Sequence, residues 1–197
     1  RRDEFTVNIA LIEKSRPVVG VVFLPAVGSL YFAADGFGSY KVDRVERVGK
    51  ILVEAENSPG KTFQLKDLLD RAERLPASGA MEMSTGQLNL VGSRSHGKEA
   101  LADFVEKMKE QYDEVRFVPA GSALKFCLVA EGKADLYPRF GPTMEWDTAA
   151  GHRVMERTIR AVLHMGEQMP LAYNKRDLHN TYFVCIARDF KDSDIPL

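Results

Sequence analysis

The sequence predicts an α/β protein with an antiparallel sheet in its first half and a mixed sheet in its second. Two observations carry this expectation. Up to about residue 42, a first stretch with period-2 alternation and further short apolar stretches are separated by tight turns. From about residue 88, strand-like runs alternate with helical ones. The length of 197 residues suits one large domain or two small ones. With 45% apolar and 28% charged residues, the chain can build an ordinary globular core.

Each element follows from its local pattern. Phe5, Val7, Ile9 and Leu11 alternate with Thr6, Asn8 and Ala10, the signature of a strand. Lys14-Ser15-Arg16-Pro17 predicts a turn, Val18 to Leu24 a second strand, Leu30 to Ala34 a third and Ser39 to Val42 a fourth. Short turns between successive strands favour antiparallel pairing. Residues 43 to 88 are charged and less patterned, with one helix expected from Leu65 to Arg74 and a linker from Pro76 to Thr85. Beyond them, Leu88 to Val91 predicts a strand. Glu99 to Tyr112 carries Leu101, Phe104, Val105, Met108 and Tyr112 on one helical stripe. Val115 to Val118 and Ala134 to Tyr137 predict strands, with a helix between them that Ser122 opens and Gly132 ends. A long helix is expected from Asp147 or Thr148 to Leu163, and a last strand from Tyr182 to Ala187.

Composition excludes several classes of function. Lys and Arg number 27 against 28 Asp and Glu, a net charge of -1, so no basic field draws in nucleic acid or an anionic membrane. No apolar run approaches the roughly 18 residues of a membrane span. Two cysteines, Cys127 and Cys185, are too few for a disulfide framework, and both sit in apolar runs. They predict buried, reduced thiols and a cytoplasmic setting. The four histidines, at 96, 152, 164 and 179, are scattered and have no zinc-ligand spacing. His152 and His164 read as packing residues. Ala55 to Thr62 imitates a phosphate-binding loop, but Pro59 removes an N–H, and Glu54 and Glu56 would repel phosphate.

Four segments could carry chemistry. In Gly121-Ser122-Ala123-Leu124-Lys125, a lysine falls in the first turn of a predicted helix, where it opposes the helix dipole unless an anion intervenes. In Tyr137-Pro138-Arg139-Phe140, a proline and an aromatic flank an arginine, the side chain suited to bidentate phosphate recognition. In Trp146-Asp147-Thr148-Ala149-Ala150-Gly151, a carboxylate stands at a helix start among small residues, placed either to cap the helix or to bind a divalent cation. Gly92-Ser93-Arg94-Ser95-His96 follows an apolar strand, where phosphates and sugars are often held. Taken singly, each is also compatible with an ordinary cap, salt bridge or polar loop.

Together, in this order, the segments resemble the inositol monophosphatase superfamily, and within it the CysQ-type branch of 3'(2'),5'-bisphosphate nucleotidases. The Trp-Asp-x-Ala-Ala-Gly motif at 146 to 151 marks the superfamily, and the set Ser122, Lys125 and Arg139 points to the nucleotidase branch. Glu4 to Ile12 is similar to the strand that follows the family's metal-binding loop. The similarity covers most of residues 1 to 42 and 89 to 187, and leaves 43 to 88 as an insert. It implies a layered α+β sandwich. Residues 1-88 would be the remainder of an N-terminal antiparallel-sheet domain with a charged insert at about 43-88, and 89-197 a C-terminal α/β domain holding the nucleotide.

The implied activity is Mg²⁺-dependent removal of the 3'-phosphate of adenosine 3',5'-bisphosphate (PAP), giving AMP and phosphate, with the sulfated analogue (PAPS) as a further substrate. Asp147 would be catalytic, would bind metal and would lie beside the scissile phosphate. His96, Ser122, Lys125 and Arg139 would hold the nucleotide with it. The resemblance implies two or three Mg²⁺ ions. It implies a small nucleotide as partner, with a preceding protein segment or a homo-oligomer as further candidates, and neither nucleic acid nor an integral membrane segment. The family's metal-binding Glu and its Asp-Pro-Leu-Asp-Gly-Thr loop do not occur in this sequence. The expectation is that the 197-residue chain alone is catalytically incomplete and nearly inactive. Two alternatives stand beside this reading: an inositol or sugar phosphate phosphatase of the same superfamily, and a non-catalytic nucleotide-binding module.

Overall fold

The computed structural model describes residues 4–44, 65–76, 86–93, 98–156, 161–164 and 170–186. Strands β1 (Val7–Glu13), β2 (Arg16–Leu24), β3 (Ser29–Ala34) and β4 (Gly38–Val42) form an antiparallel meander. Its first turn is a two-residue hairpin with Lys14 and Ser15 both at positive φ, 49° and 63°, the conformation that matches strand twist. After helix α1 (Leu65–Leu69), β5 (Glu73–Arg74) adds to the β4 edge, giving the order β1-β2-β3-β4-β5.

The second sheet alternates with helices. Its elements are β6 (Gln87–Gly92), α2 (Lys98–Lys109), β7 (Glu114–Pro119), α3 (Leu124–Ala130), β8 (Leu136–Arg139), α4 (Glu145–Glu156), β10 (Ala161–His164) and β12 (Phe183–Ile186). The strand order is β10-β12-β8-β6-β7, with β6 parallel to β7 and β8, and β12 antiparallel to β8 and β10. The sheet is therefore mixed, as the sequence predicts. Two short strands, β9 (Thr143–Met144) and β11 (His179–Asn180), pair separately as a ribbon beside the start of α4.

Helices α3 and α4 fill the space between the sheets. One core joins Val22, Leu24 and Tyr31 of the first sheet to Phe126 and Val129 of α3, Val154 and Met155 of α4, and Tyr137 and Phe183 of the second sheet. The aromatic rings of Phe126, Tyr137 and Phe183 meet mutually at 5.2 to 5.9 Å. On the far side of the second sheet, Phe104 and Met108 of α2 pack on Leu88, Leu90, Leu136, Val184 and Ile186. On the outer face of the first sheet, Leu68 and Leu69 of α1 cover Phe32 and Val42. The layering follows from these three clusters. Cys127 and Cys185 are buried and free, as expected. Among the described residues, no helix is long and apolar enough to cross a membrane.

Several boundaries differ from the sequence reading. Ser122 does not cap α3; it stands one residue earlier with φ 48°, and Ala123 occupies the cap position without a side-chain hydrogen bond. The Ser122 hydroxyl is instead bonded to the Thr6 hydroxyl at 2.6 Å. The far end of α3 behaves as predicted. Gly132 takes φ 73°, and the N–H groups of Gly132 and Lys133 donate to the carbonyls of Val129 and Leu128 at 3.0 and 2.9 Å. The helix expected to reach Leu163 ends at Glu156, because residues 161–164 pair with β12. The helix expected to reach Arg74 ends at Leu69, because Glu73 and Arg74 complete the open edge of β4. The phosphate-loop imitation at 55–62 and most of the linker at 76–85 lie outside the described residues.

β2 and α4 approach each other closely. A Cβ on Gly20 would lie 2.5 Å from the Ala150 carbonyl oxygen and 2.7 Å from Cβ of Arg153, so only glycine fits. Gly20→Ala is expected to lower stability by roughly 1–3 kcal/mol, the range for overpacking a tight interior. Chemical denaturation checks this, and an unchanged midpoint would contradict the packing described.

Candidate active site

A cleft of about 410 Å³ opens where β1, the 120–125 turn, the end of β8 and the start of α4 converge. Ser122, Lys125, Arg139 and Asp147, singled out from the sequence, all line it. His96 lies outside the described residues. The cleft is also lined by Glu4, Asn8, Ser93, Tyr137, Thr143 and Thr148. Glu4 and Asn8 were missed as site residues. Their signal was present in the sequence: even-numbered positions leading into and along β1 are polar at 4, 6 and 8 and apolar at 10 and 12, so the character changes along this stretch.

The turn before α3 is held from across the molecule. Thr6 Oγ1 meets Ser122 Oγ and accepts the Ala123 N–H at 3.4 Å. This fixes a left-handed residue that is not glycine, a conformation that persists only where its surroundings impose it.

Lys125 is 5% exposed and Arg139 is 9% exposed. Lys125 Nζ donates to the Ser122 carbonyl at 2.7 Å and lies 5.2 Å from the Tyr137 ring centroid. Arg139 donates through one terminal nitrogen to the Pro142 carbonyl at 3.0 Å, while its buried Nε has no hydrogen-bond partner among the described residues. Among the described residues neither cation is in a salt bridge. Burial, and secondarily the Arg139 charge, push the Lys125 pKa down to about 8, although Glu4 and Asp147 pull the other way. Two cations are thus held near one another in a place that penalises both.

Asp147 is exposed at the cleft and lies in the first turn of α4. One carboxylate oxygen, Oδ2, accepts the Met144 N–H at 2.9 Å, a helix-capping contact, and Oδ1 faces no donor among the described residues. Both roles weighed from the sequence are therefore compatible, since capping uses one oxygen and leaves the other. Behind it, Thr148 donates to the Glu145 carbonyl at 3.2 Å and accepts from Tyr173 at 3.3 Å and Asn180 at 3.0 Å. Glu145 in turn accepts from the backbone of Asn174 and Lys175 and from Lys175 Nζ at 2.6 Å. His152 packs inside, its Nδ1 2.8 Å from the Tyr173 hydroxyl, and burial lowers its pKa to about 4, so it is neutral at pH 7. Among the described residues, no group of three or more His, Cys, Asp or Glu side chains converges on one point. Asp147 can supply one oxygen to a divalent cation, and further ligands must come from elsewhere.

A pH dependence follows from Lys125. Its pKa is near 8 in the folded chain and 10.5 unperturbed, so between these values the unfolded state binds more protons. Stability contributed by this group therefore rises with pH from about 8 to 10.5. Denaturation curves for the wild type and Lys125→Met should differ by an amount that is flat below pH 8 and shifts in favour of the wild type above it. A difference independent of pH would contradict the burial of a charged lysine.

Comparison with known proteins agrees with this architecture. The inositol monophosphatase family model matches residues 1–192. A 3'(2'),5'-bisphosphate nucleotidase CysQ of Salmonella typhimurium is 40% identical over 177 residues, covering 90% of this chain and 57% of the relative. The Haemophilus influenzae protein of the same name is 31% identical over 189 residues, 95% of this chain and 58% of its own. The chain thus spans less than two thirds of the length of these relatives. Among solved structures, CysQ from Bacteroides thetaiotaomicron, described as a bacterial member of the inositol monophosphatase family, superposes with a TM-score of 0.82 at 39% identity. It covers 95% of this chain and 64% of that one. An inositol monophosphatase from Anabaena, at 20% identity and TM-score 0.61, covers 98% of this chain and 62% of its own, and shares the fold. The fold, the order of its motifs and these matches lead to one conclusion: the chain belongs to the inositol monophosphatase family.

Proposed function

We propose that this chain is the nucleotide-holding part of a Mg²⁺-dependent 3'(2'),5'-bisphosphate nucleotidase that converts adenosine 3',5'-bisphosphate to AMP and phosphate. The observation that carries the reading is the buried pair Lys125 and Arg139, in no salt bridge among the described residues, in one cleft with Asp147. Two buried cations are costly unless an anion joins them. Each phosphate of such a nucleotide carries roughly -1.5 to -2 charges at pH 7, enough to neutralise the pair. The relatives named CysQ nucleotidase support the same substrate class. The sulfated analogue offers the same 3'-phosphate and is proposed as a second substrate. A cytoplasmic setting is proposed with it.

In this reading Lys125 and Arg139 grip the retained phosphate, with Arg139 Nε supplying the donor that has no other partner among the described residues. Ser122, fixed by Thr6, lies at the same wall. His96 is proposed to contribute from the 94–97 segment. Residues 89–197 would hold most of the nucleotide, and Glu4 with Asn8 of β1 would close the cleft. Binding energy at the retained phosphate, away from the reacting bond, orients the other phosphate toward Asp147. Asp147 Oδ1 would hold Mg²⁺, one of two or three ions in the complete site. The metal supplies charge neutralisation and an activated water when bound. Asp147 keeps its place because its other oxygen is committed to Met144.

The test has two parts. The chain by itself should bind adenosine 3',5'-bisphosphate, measured by calorimetry, with turnover near background. In a polypeptide that joins this chain to the family's acidic loop, phosphate release should require Mg²⁺ and fall by about a hundredfold or more in Asp147→Asn. Absence of nucleotide binding, or release that survives in Asp147→Asn, would overturn the assignment. Faster release from inositol monophosphate than from the nucleotide would move the substrate class to inositol phosphates.

A further inference from the structure

We propose that Asn180 is a positioning residue that sets the place of Asp147 without lining the cleft. Its side-chain nitrogen lies 2.9 Å from the Met144 carbonyl, 3.0 Å from Thr148 Oγ1 and 3.2 Å from Thr143 Oγ1. Those three residues bracket Asp147: two precede it and one follows. The amide has two hydrogens for three acceptors, so one hydrogen is shared. The grip is therefore made by the donor side of the amide alone. Asn180 Oδ1 is buried and has no hydrogen-bond partner among the described residues.

The contacts leave the turn little freedom. Thr148 has one hydroxyl hydrogen and two acceptor sites, and all are used, toward Glu145, Asn180 and Tyr173. Met144 is held on both sides of its peptide chain: its carbonyl accepts from Asn180 and its N–H donates to Asp147 Oδ2. The pairing of β11 with β9 sets Asn180 opposite Thr143 and His179 opposite Met144. A contact made 33 residues after Asp147 in sequence thus decides where the carboxylate stands. Residues that hold a metal ligand in orientation typically cost 10- to 100-fold in metal affinity when removed.

The inference rests on Asp147 being a metal ligand, and the experiment separates the two claims. Mn²⁺ alone is titrated into the isotopically labelled chain, and paramagnetic broadening is followed at residues 143–148. Hydrogen exchange of the Met144 amide and AMP affinity are measured on the same samples. In Asn180→Ala, half-maximal broadening is expected at roughly tenfold higher Mn²⁺, within the range for such orienting residues. Met144 should exchange faster, and AMP affinity should be unchanged, because Asn180 bonds to neither Lys125 nor Arg139, whose own hydrogen bonds go to the carbonyls of Ser122 and Pro142. In the Asp147→Asn background, Asn180→Ala should add nothing to the Mn²⁺ shift, since it acts through that carboxylate. Should Asn180→Ala fail to fold, Thr148→Val removes one of the three acceptors at nearly constant shape and is expected to move broadening and exchange in the same direction. Broadening that disappears in Asp147→Asn but is unmoved in Asn180→Ala or Thr148→Val overturns the positioning role. Broadening that persists in Asp147→Asn overturns the metal role of Asp147, and this inference with it.

Discussion

The close approach of α4 to β2 and α3 is the constraint on which the site depends. Gly20 lets the helix backbone touch the first sheet, and Gly151 lets it touch α3, since a Cβ there would lie 2.6 Å from the Phe126 ring. A helix placed this tightly cannot slide, because any shift would open the core formed by Phe126, Val154 and Met155. Its first turn therefore stays at the edge where the two sheets meet. That edge is also where β8 ends with Arg139 and the 120–125 turn delivers Lys125. The charged groups of the cleft meet because the apolar packing behind them has one solution.

The charges themselves are arranged against stability. Two buried glutamates of the fold are paired with cations. Glu131, 3% exposed at the end of α3, accepts from Tyr31 at 2.6 Å and Lys41 at 3.2 Å and is paired with Lys133 at 2.6 Å. Glu145 is held by Lys175 and two backbone N–H groups, which together keep its pKa below the ordinary glutamate value despite burial. Among the described residues, Lys125 and Arg139 have no such provision. Two cations left beside an open cleft, with no carboxylate paired to them among the described residues, support the proposal that the cleft receives an anion.

Much of this was legible in the sequence, for reasons specific to each residue. Lys125, Arg139 and Asp147 stand at the ends of strongly patterned elements, so their convergence follows once those elements are placed. The meander was readable from β1 to β4 because the first strand alternates, the next ones are short apolar runs, and each turn carries Gly, Pro or Ser. Ser122 was misread as a cap because its partner, Thr6, is 116 residues away. Residues 161–164 continue a helical pattern, yet β12 supplies an edge whose hydrogen bonds outweigh it. The ribbon β9–β11 has two residues per strand, too few for any periodic signal, so the grip of Asn180 on the Asp147 turn was not visible. Residues that act through distant contacts lack a local signature.

The central claim is that the buried cations are kept for an anion at a cost to the empty protein. Thermal unfolding of the wild type and Lys125→Met, each with and without adenosine 3',5'-bisphosphate, tests it most directly. The account predicts that Lys125→Met is at least as stable as the wild type without ligand at pH 7. It also predicts that the nucleotide raises the wild-type midpoint by several degrees at a hundred times its dissociation constant, equivalent to about 2.7 kcal/mol, and leaves the variant nearly unmoved. A variant that is destabilised when empty and still responds fully to the nucleotide would contradict the account.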